Sequence, residues 1–117
     1  MTDLVACLST GKGTWSEVKK LITNAKWDTV FLVSNDFGKE KFTSDKNIKF
    51  ILVDANSGIE SMKNIIKQAL EDKVKIEVAV NMTSGSGKEH MALMAALMEL
   101  GVGMRLIIPT DSEVKEL

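Results

Sequence analysis

Apolar runs and amphipathic stretches alternate along the chain. Leu4–Leu8 (LVACL), Thr29–Ser34 (TVFLVS) and Lys49–Asp54 (KFILVD) are short apolar runs of the kind that parallel strands show when both faces are covered. Lys75–Asn81 (KIEVAVN) alternates in its first half and is apolar in its second, and Met104–Ile108 makes a fifth run. Between these runs, Trp15, Val18, Leu21, Ile22 and Ala25 recur at helical spacing, as do Ile59, Met62, Ile65, Ile66, Ala69 and Leu70. A further helix is predicted from about Gly87 to Leu100 and is apolar almost all round. Thr14/Glu17, Ser57/Glu60 and Ser86/Glu89 each have capping-box spacing at a helix start, while Gly101 and Gly103 stop the last helix. The segment 35–47 (NDFGKEKFTSDKN) barely reaches the length of a crossover and predicts a short helix around Asp36–Phe42 or an irregular loop. Pro109 and the polar tail TDSEVKEL predict that the chain ends after its fifth strand.

Strands that alternate with helices imply an α/β fold. The expectation is a Rossmann-like three-layer sandwich, with a mostly parallel sheet of about five strands and helices on both faces. At 117 residues the chain reads as a single domain, 1–117, large enough to bury a core. A net charge of −1 argues against a general coat for duplex nucleic acid, so any anion site must be local. The single cysteine, Cys7, excludes an internal disulfide and reads as a small core residue. No signal peptide or membrane-length apolar run is present, and the expected location is cytoplasmic.

In a sheet of this kind ligands bind beyond the carboxyl ends of the strands, where strand order reverses. If the first strand neighbours the fourth, two loops meet there: Ser9, Thr10, Gly11, Lys12, Gly13 and Thr14 after the first, and Asn81–Lys88 (NMTSGSGK) after the fourth. Each opens a helix, and so offers free N–H groups and a positive dipole end to an anion. The same dipole makes a cation at Lys88 unwelcome, so its loss is expected to leave the fold unharmed.

The named phosphate motifs fail in detail. A Walker A loop would need glycine where Met82 stands and a hydroxyl where Glu89 stands. The dinucleotide fingerprint is half present as Gly11-Lys12-Gly13, with Ser16 at the third glycine and Asp36 as the nearest ribose-binding acid. A phosphoacceptor receiver could use Asp54, but Leu8-Ser9-Thr10 replaces the acidic pair it needs after the first strand. His90 is the sole histidine, which excludes a histidine-based metal site and leaves a packing role ahead of catalysis. Neither a metal nor a resident cofactor is expected. Met91, Met94, Met98 and Met104 read as soft core or interface.

The stretch VAVNMTSGSGKEHMALMAALMELGVGMRLI resembles the signature of the CARF family, the CRISPR-associated Rossmann-fold domains. Asn81, Thr83, Ser84, Gly85, Ser86 and Lys88 match its pattern, with Gly87 standing as an extra residue before the lysine. The family's other ligand loop corresponds to Ser9–Gly13. The resemblance implies a homodimeric sensor domain that binds the second messenger cyclic oligoadenylate in a CRISPR-linked antiviral response. An alternative it implies is a slow, metal-independent ring nuclease, with Ser9 or Thr10 and Lys88 in the catalytic roles. A module for another nucleotide, or an interaction domain that has lost the ligand, stands as a further alternative.

Overall fold

The computed structural model describes residues 2–8, 12–43 and 47–117. Among them, six strands form one sheet: β1 (Leu4–Cys7), β2 (Val30–Ser34), β3 (Ile48–Leu52), β4 (Glu77–Asn81), β5 (Gly103–Pro109) and β6 (Val114–Glu116). The helices are α1 (Trp15–Asn24), entered through a 3-10 turn at Lys12–Thr14, then α2 (Asp36–Lys41), α3 (Ile59–Leu70) and α4 (Gly87–Leu100). Strand order is β3-β2-β1-β4-β5-β6, parallel except for the antiparallel pair of β5 and β6. The sheet is therefore mixed, with one strand more than the sequence pattern predicts.

The extra strand corrects the expectation that the chain ends after β5. The tail turns at Thr110, whose N–H and hydroxyl both bond the Glu113 carbonyl, and then returns along β5. The Arg105 guanidinium fixes the register by holding the Glu116 carboxylate at 2.6 Å. A tail of alternating charge carries no apolar signal, because its strand lies at an edge and pairs through its backbone.

The pleat of β1 divides the core. Val5 and Cys7 face Met62, Ile66 and Leu70 of α3 and Ala92, Leu93, Ala96 and Leu97 of α4. Leu4, Ala6 and Leu8 face Trp15, Val18, Leu21 and Ile22 of α1 and Phe42 beyond α2. Helices on both faces explain why β1, β2 and most of β4 are buried throughout, and why their sequences are continuous rather than alternating. By contrast β3 lies at the far edge and is mostly half-exposed.

The predicted caps fare unequally. Ser86 and Glu89 form theirs, the Glu89 carboxylate accepting the Ser86 N–H at 2.8 Å. Thr14 precedes α1 without a side-chain cap bond, and Gly58 rather than Ser57 precedes α3. Asn35 caps α2 by accepting the Gly38 N–H at 3.0 Å, so the segment 35–47 resolves its two readings in favour of a short helix. The left-handed cap of α4 falls on Gly101 (φ 73°), where a side chain would be strained.

Candidate ligand-binding edge

Between β1 and β4 the chain order reverses, since β2 and β3 lie to one side of β1 and β4 and β5 to the other. That is the switch point at which α/β sheets bind ligands. The turn after β4 leans over it: a Cβ on Gly85 would lie 3.0 Å from the Cβ of Cys7 at the end of β1. Gly85 has φ +95°, so glycine is required both by the backbone and by the space beneath it.

Most of this turn is committed to its own structure. The Asn81 side chain is buried, and its amide donates to the Ile107 carbonyl at 2.8 Å, joining β4 to β5. Its carbonyl oxygen accepts the Thr83 N–H at 3.2 Å and the Thr83 hydroxyl at 2.8 Å. Ser84 is buried, and its carbonyl faces His90 Nε2 at 2.7 Å, where the ring nitrogen donates to it. His90 therefore braces the turn through this bond. Thr83, Ser86, Gly87 and Lys88 remain on the surface.

Lys88 departs from the expectation of a bare cation at a helix start. Its ammonium donates to the carbonyls of Ala55 (2.9 Å) and Ser57 (2.8 Å), in the loop after β3. The two carbonyls offset the unfavourable dipole, and a third N–H is left for another acceptor. Glu89, meanwhile, already occupies the first turn of α4 with negative charge. An incoming anion must therefore sit toward the Gly87 and Lys88 N–H groups.

Of the loop after β1, Ser9, Thr10 and Gly11 lie outside the described residues, as does the Lys12 side chain. Gly13 is exposed beyond them in the 3-10 turn. Cys7 is buried beneath Gly85, and burial, with Glu89 adding to it, pushes the thiol up to about 12. It is an inert core thiol at neutral pH.

Sequence reasoning did not find the concave part of this edge. A cleft of about 600 Å³ opens beyond the carboxyl ends of β2 and β3, lined by residues 35–37, 52–56 and Ile65. Next to it the Ser34 hydroxyl is buried without a hydrogen-bond partner among the described residues, against Gly38, where any Cβ would overlap it. The sequence signal was Phe37, an apolar residue inside NDFGKEK that the helical pattern did not require. Among the described residues there is no group of three potential metal ligands, and no helix is long and apolar enough to cross a membrane.

The chain has an α/β fold with a six-stranded, mostly parallel sheet and one antiparallel strand at its edge, an arrangement compatible with a Rossmann-like sandwich. No family model and no curated protein matches the sequence. Among solved structures, the chain is similar to protein VC1899 from Vibrio cholerae, at 10% identity with a TM-score of 0.66. The match covers 99% of this chain and 33% of that one, so this chain spans a third of the length of its structural neighbour. At that identity the likeness concerns the fold.

Proposed function

We propose that this domain binds cyclic oligoadenylate as a homodimeric sensor of a CRISPR-linked antiviral response. The observation that supports it most is the position of the turn NMTSGSGK. It resembles the CARF signature, and it lies over the end of β1 at the switch point, with Gly85 against Cys7. Phosphates of the ring would meet the Gly87 and Lys88 N–H groups and the remaining N–H of the Lys88 ammonium. The loop Ser9–Gly13 would complete the site from the β1 side.

A second copy is supported by the outer face of α4. Met91 and Met98, one heptad apart, are 60% and 68% exposed, and Leu106 of the neighbouring β5 is 44% exposed. Leu106 shares its pleat with Met104, which packs on the α4 side of the sheet. An isologous contact through this strip would match a ligand of two-fold symmetry. Binding is favoured over cleavage, because Lys88, the residue that would face a phosphorane, already spends two donors on Ala55 and Ser57.

Calorimetric titration with cyclic tetra- and hexa-adenylate, beside linear oligoadenylate, ATP and NAD, tests the ligand. Preference for a ring is expected. Tight binding of ATP or NAD with no response to either ring would refute the reading. Light scattering tests the assembly, and a monomer at micromolar concentration with and without ring would remove the homodimer.

A further inference from the structure

The cleft beyond β2 and β3 is chemically unlike the turn after β4. Phe37, Leu52 and Ile65 present apolar surface there, exposed to 41%, 37% and 39%. Asp36 and Asp54 supply two carboxylates to the same concavity, and among the described residues no lysine or arginine lines it. Its volume of about 600 Å³ lies within the range of small-molecule sites.

Phe37 is held rather than loose. Its ring lies 6.1 Å from that of Trp15, which in turn meets Phe42 edge-on at 5.6 Å. Asp54 uses one carboxylate oxygen to accept the Asn56 N–H at 2.9 Å, which shapes the loop that forms the cleft's wall. Ala55 belongs to that wall, and its carbonyl is one of the two that hold Lys88. A positive charge thus stands at the rim of a cleft whose lining is apolar and negative.

We propose that this cleft is a ribonucleoside subsite, with the base against Phe37 and the ribose 2′,3′-diol on the Asp36 or Asp54 carboxylate. A free phosphate is disfavoured inside, where two carboxylates and, among the described residues, no cation face it. A compact amine is disfavoured by the Lys88 ammonium at the rim and leaves three apolar side chains uncovered. A flat ring covers them, and a carboxylate is a two-oxygen acceptor suited to adjacent hydroxyls. A phosphate attached to the nucleoside would lie outside, toward Lys88. The proposal deepens the nucleotide reading above by assigning the base and sugar to this cleft. The cleft itself needs neither a ring nor a second copy.

The test is titration of the full chain with adenosine, guanosine, cytidine and uridine, with 2′-deoxyadenosine and agmatine as controls, followed by calorimetry and by the fluorescence of Trp15 and Trp27. At least one ribonucleoside should bind. Loss of the 2′-hydroxyl should weaken adenosine about tenfold or more, as removal of a charge-assisted hydrogen bond does. Asp36→Asn and Asp54→Asn together should produce a similar loss, and Phe37→Leu a smaller one. All three positions are exposed, and melting curves report whether the variants keep the fold. Agmatine binding in place of the nucleosides overturns the proposal, as does equal affinity for adenosine and its deoxy analogue, or no nucleoside binding up to the solubility limit. Cyclic oligoadenylate that binds the wild type and these variants equally would remove the cleft and leave the sensor reading. Adenosine binding without any response to the rings would do the reverse.

Discussion

At the carboxyl edge of the sheet, the turn after β4 and the cleft beyond β2 and β3 lie side by side and use their polar groups differently. In the turn, Asn81, Thr83, His90 and Glu89 all bond the turn or its neighbouring strand. At the cleft, apolar side chains are held half open and carboxylates line a concave surface. The glycine- and hydroxyl-rich segment that looks most like a ligand loop is thus largely a structural seal over β1. The concavity is supplied by segments from which the sequence singled out only Asp36 and Asp54, each for a motif that otherwise failed. Lys88 joins the two, extending from α4 to the wall of the cleft.

The largest effect that can break this contrast is alkaline. Cys7 lies under the seal with its thiol pushed up to about 12, from 9.0, mainly by burial. Its contribution to stability is complete below pH 9 and is lost as the pH rises toward 12, because the unfolded chain releases the thiol proton first. The loss approaches the order of 4 kcal/mol at the top of that window. Denaturation by urea across this pH range, for the wild type and for Cys7→Ala, isolates the effect. Parallel decline of the two would show that the turn does not keep Cys7 dry.

Next in size is Asn81→Ala. It would leave the buried Ile107 carbonyl without its donor and the Thr83 hydroxyl without its acceptor. The expected cost is about 2–4 kcal/mol in unfolding free energy, from lost bonds plus a desolvated carbonyl. A ligand residue with no structural role would instead leave the melting temperature unchanged and weaken binding alone.

The contrast also explains what the sequence could and could not reveal. Strands β1, β2 and β4 were legible because burial on two faces leaves them little choice but apolar side chains. Ser86 and Glu89 were legible because a capping box is local, and the same spacing failed at Ser57 because Gly58 takes the cap position. The β6 edge was not legible, since its partner is chosen by backbone pairing and by Arg105, which bonds Glu116 eleven positions further along the chain. The cleft was not legible either. It is made by three segments that meet only after β2, β3 and α3 are placed, and Leu52 and Ile65 read as ordinary members of a strand and a helix.

The smallest effect concerns the residue that joins the two regions. From the helix dipole alone, Lys88→Ala should stabilise the domain by some tenths of a kcal/mol. The structure reverses that expectation, because the same change removes the bonds to Ala55 and Ser57, worth about 1 kcal/mol together once exposure to solvent is taken into account. The net loss should be about 0.5 kcal/mol, near the limit of a denaturation curve, so the decisive readout is local. Ser57 donates its N–H to the Asp54 carbonyl at 3.0 Å, and Asn56 donates to the Asp54 carboxylate. Hydrogen exchange at these two amides should accelerate in Lys88→Ala, while the amides of Thr83 and Ser86 in the turn keep their wild-type rates. Arginine at position 88 should restore part of the protection, since it can also donate to two carbonyls. Unchanged exchange at Asn56 and Ser57, together with a raised melting temperature, would mean that the dipole wins, that Lys88 is a free rim cation, and that turn and cleft are independent.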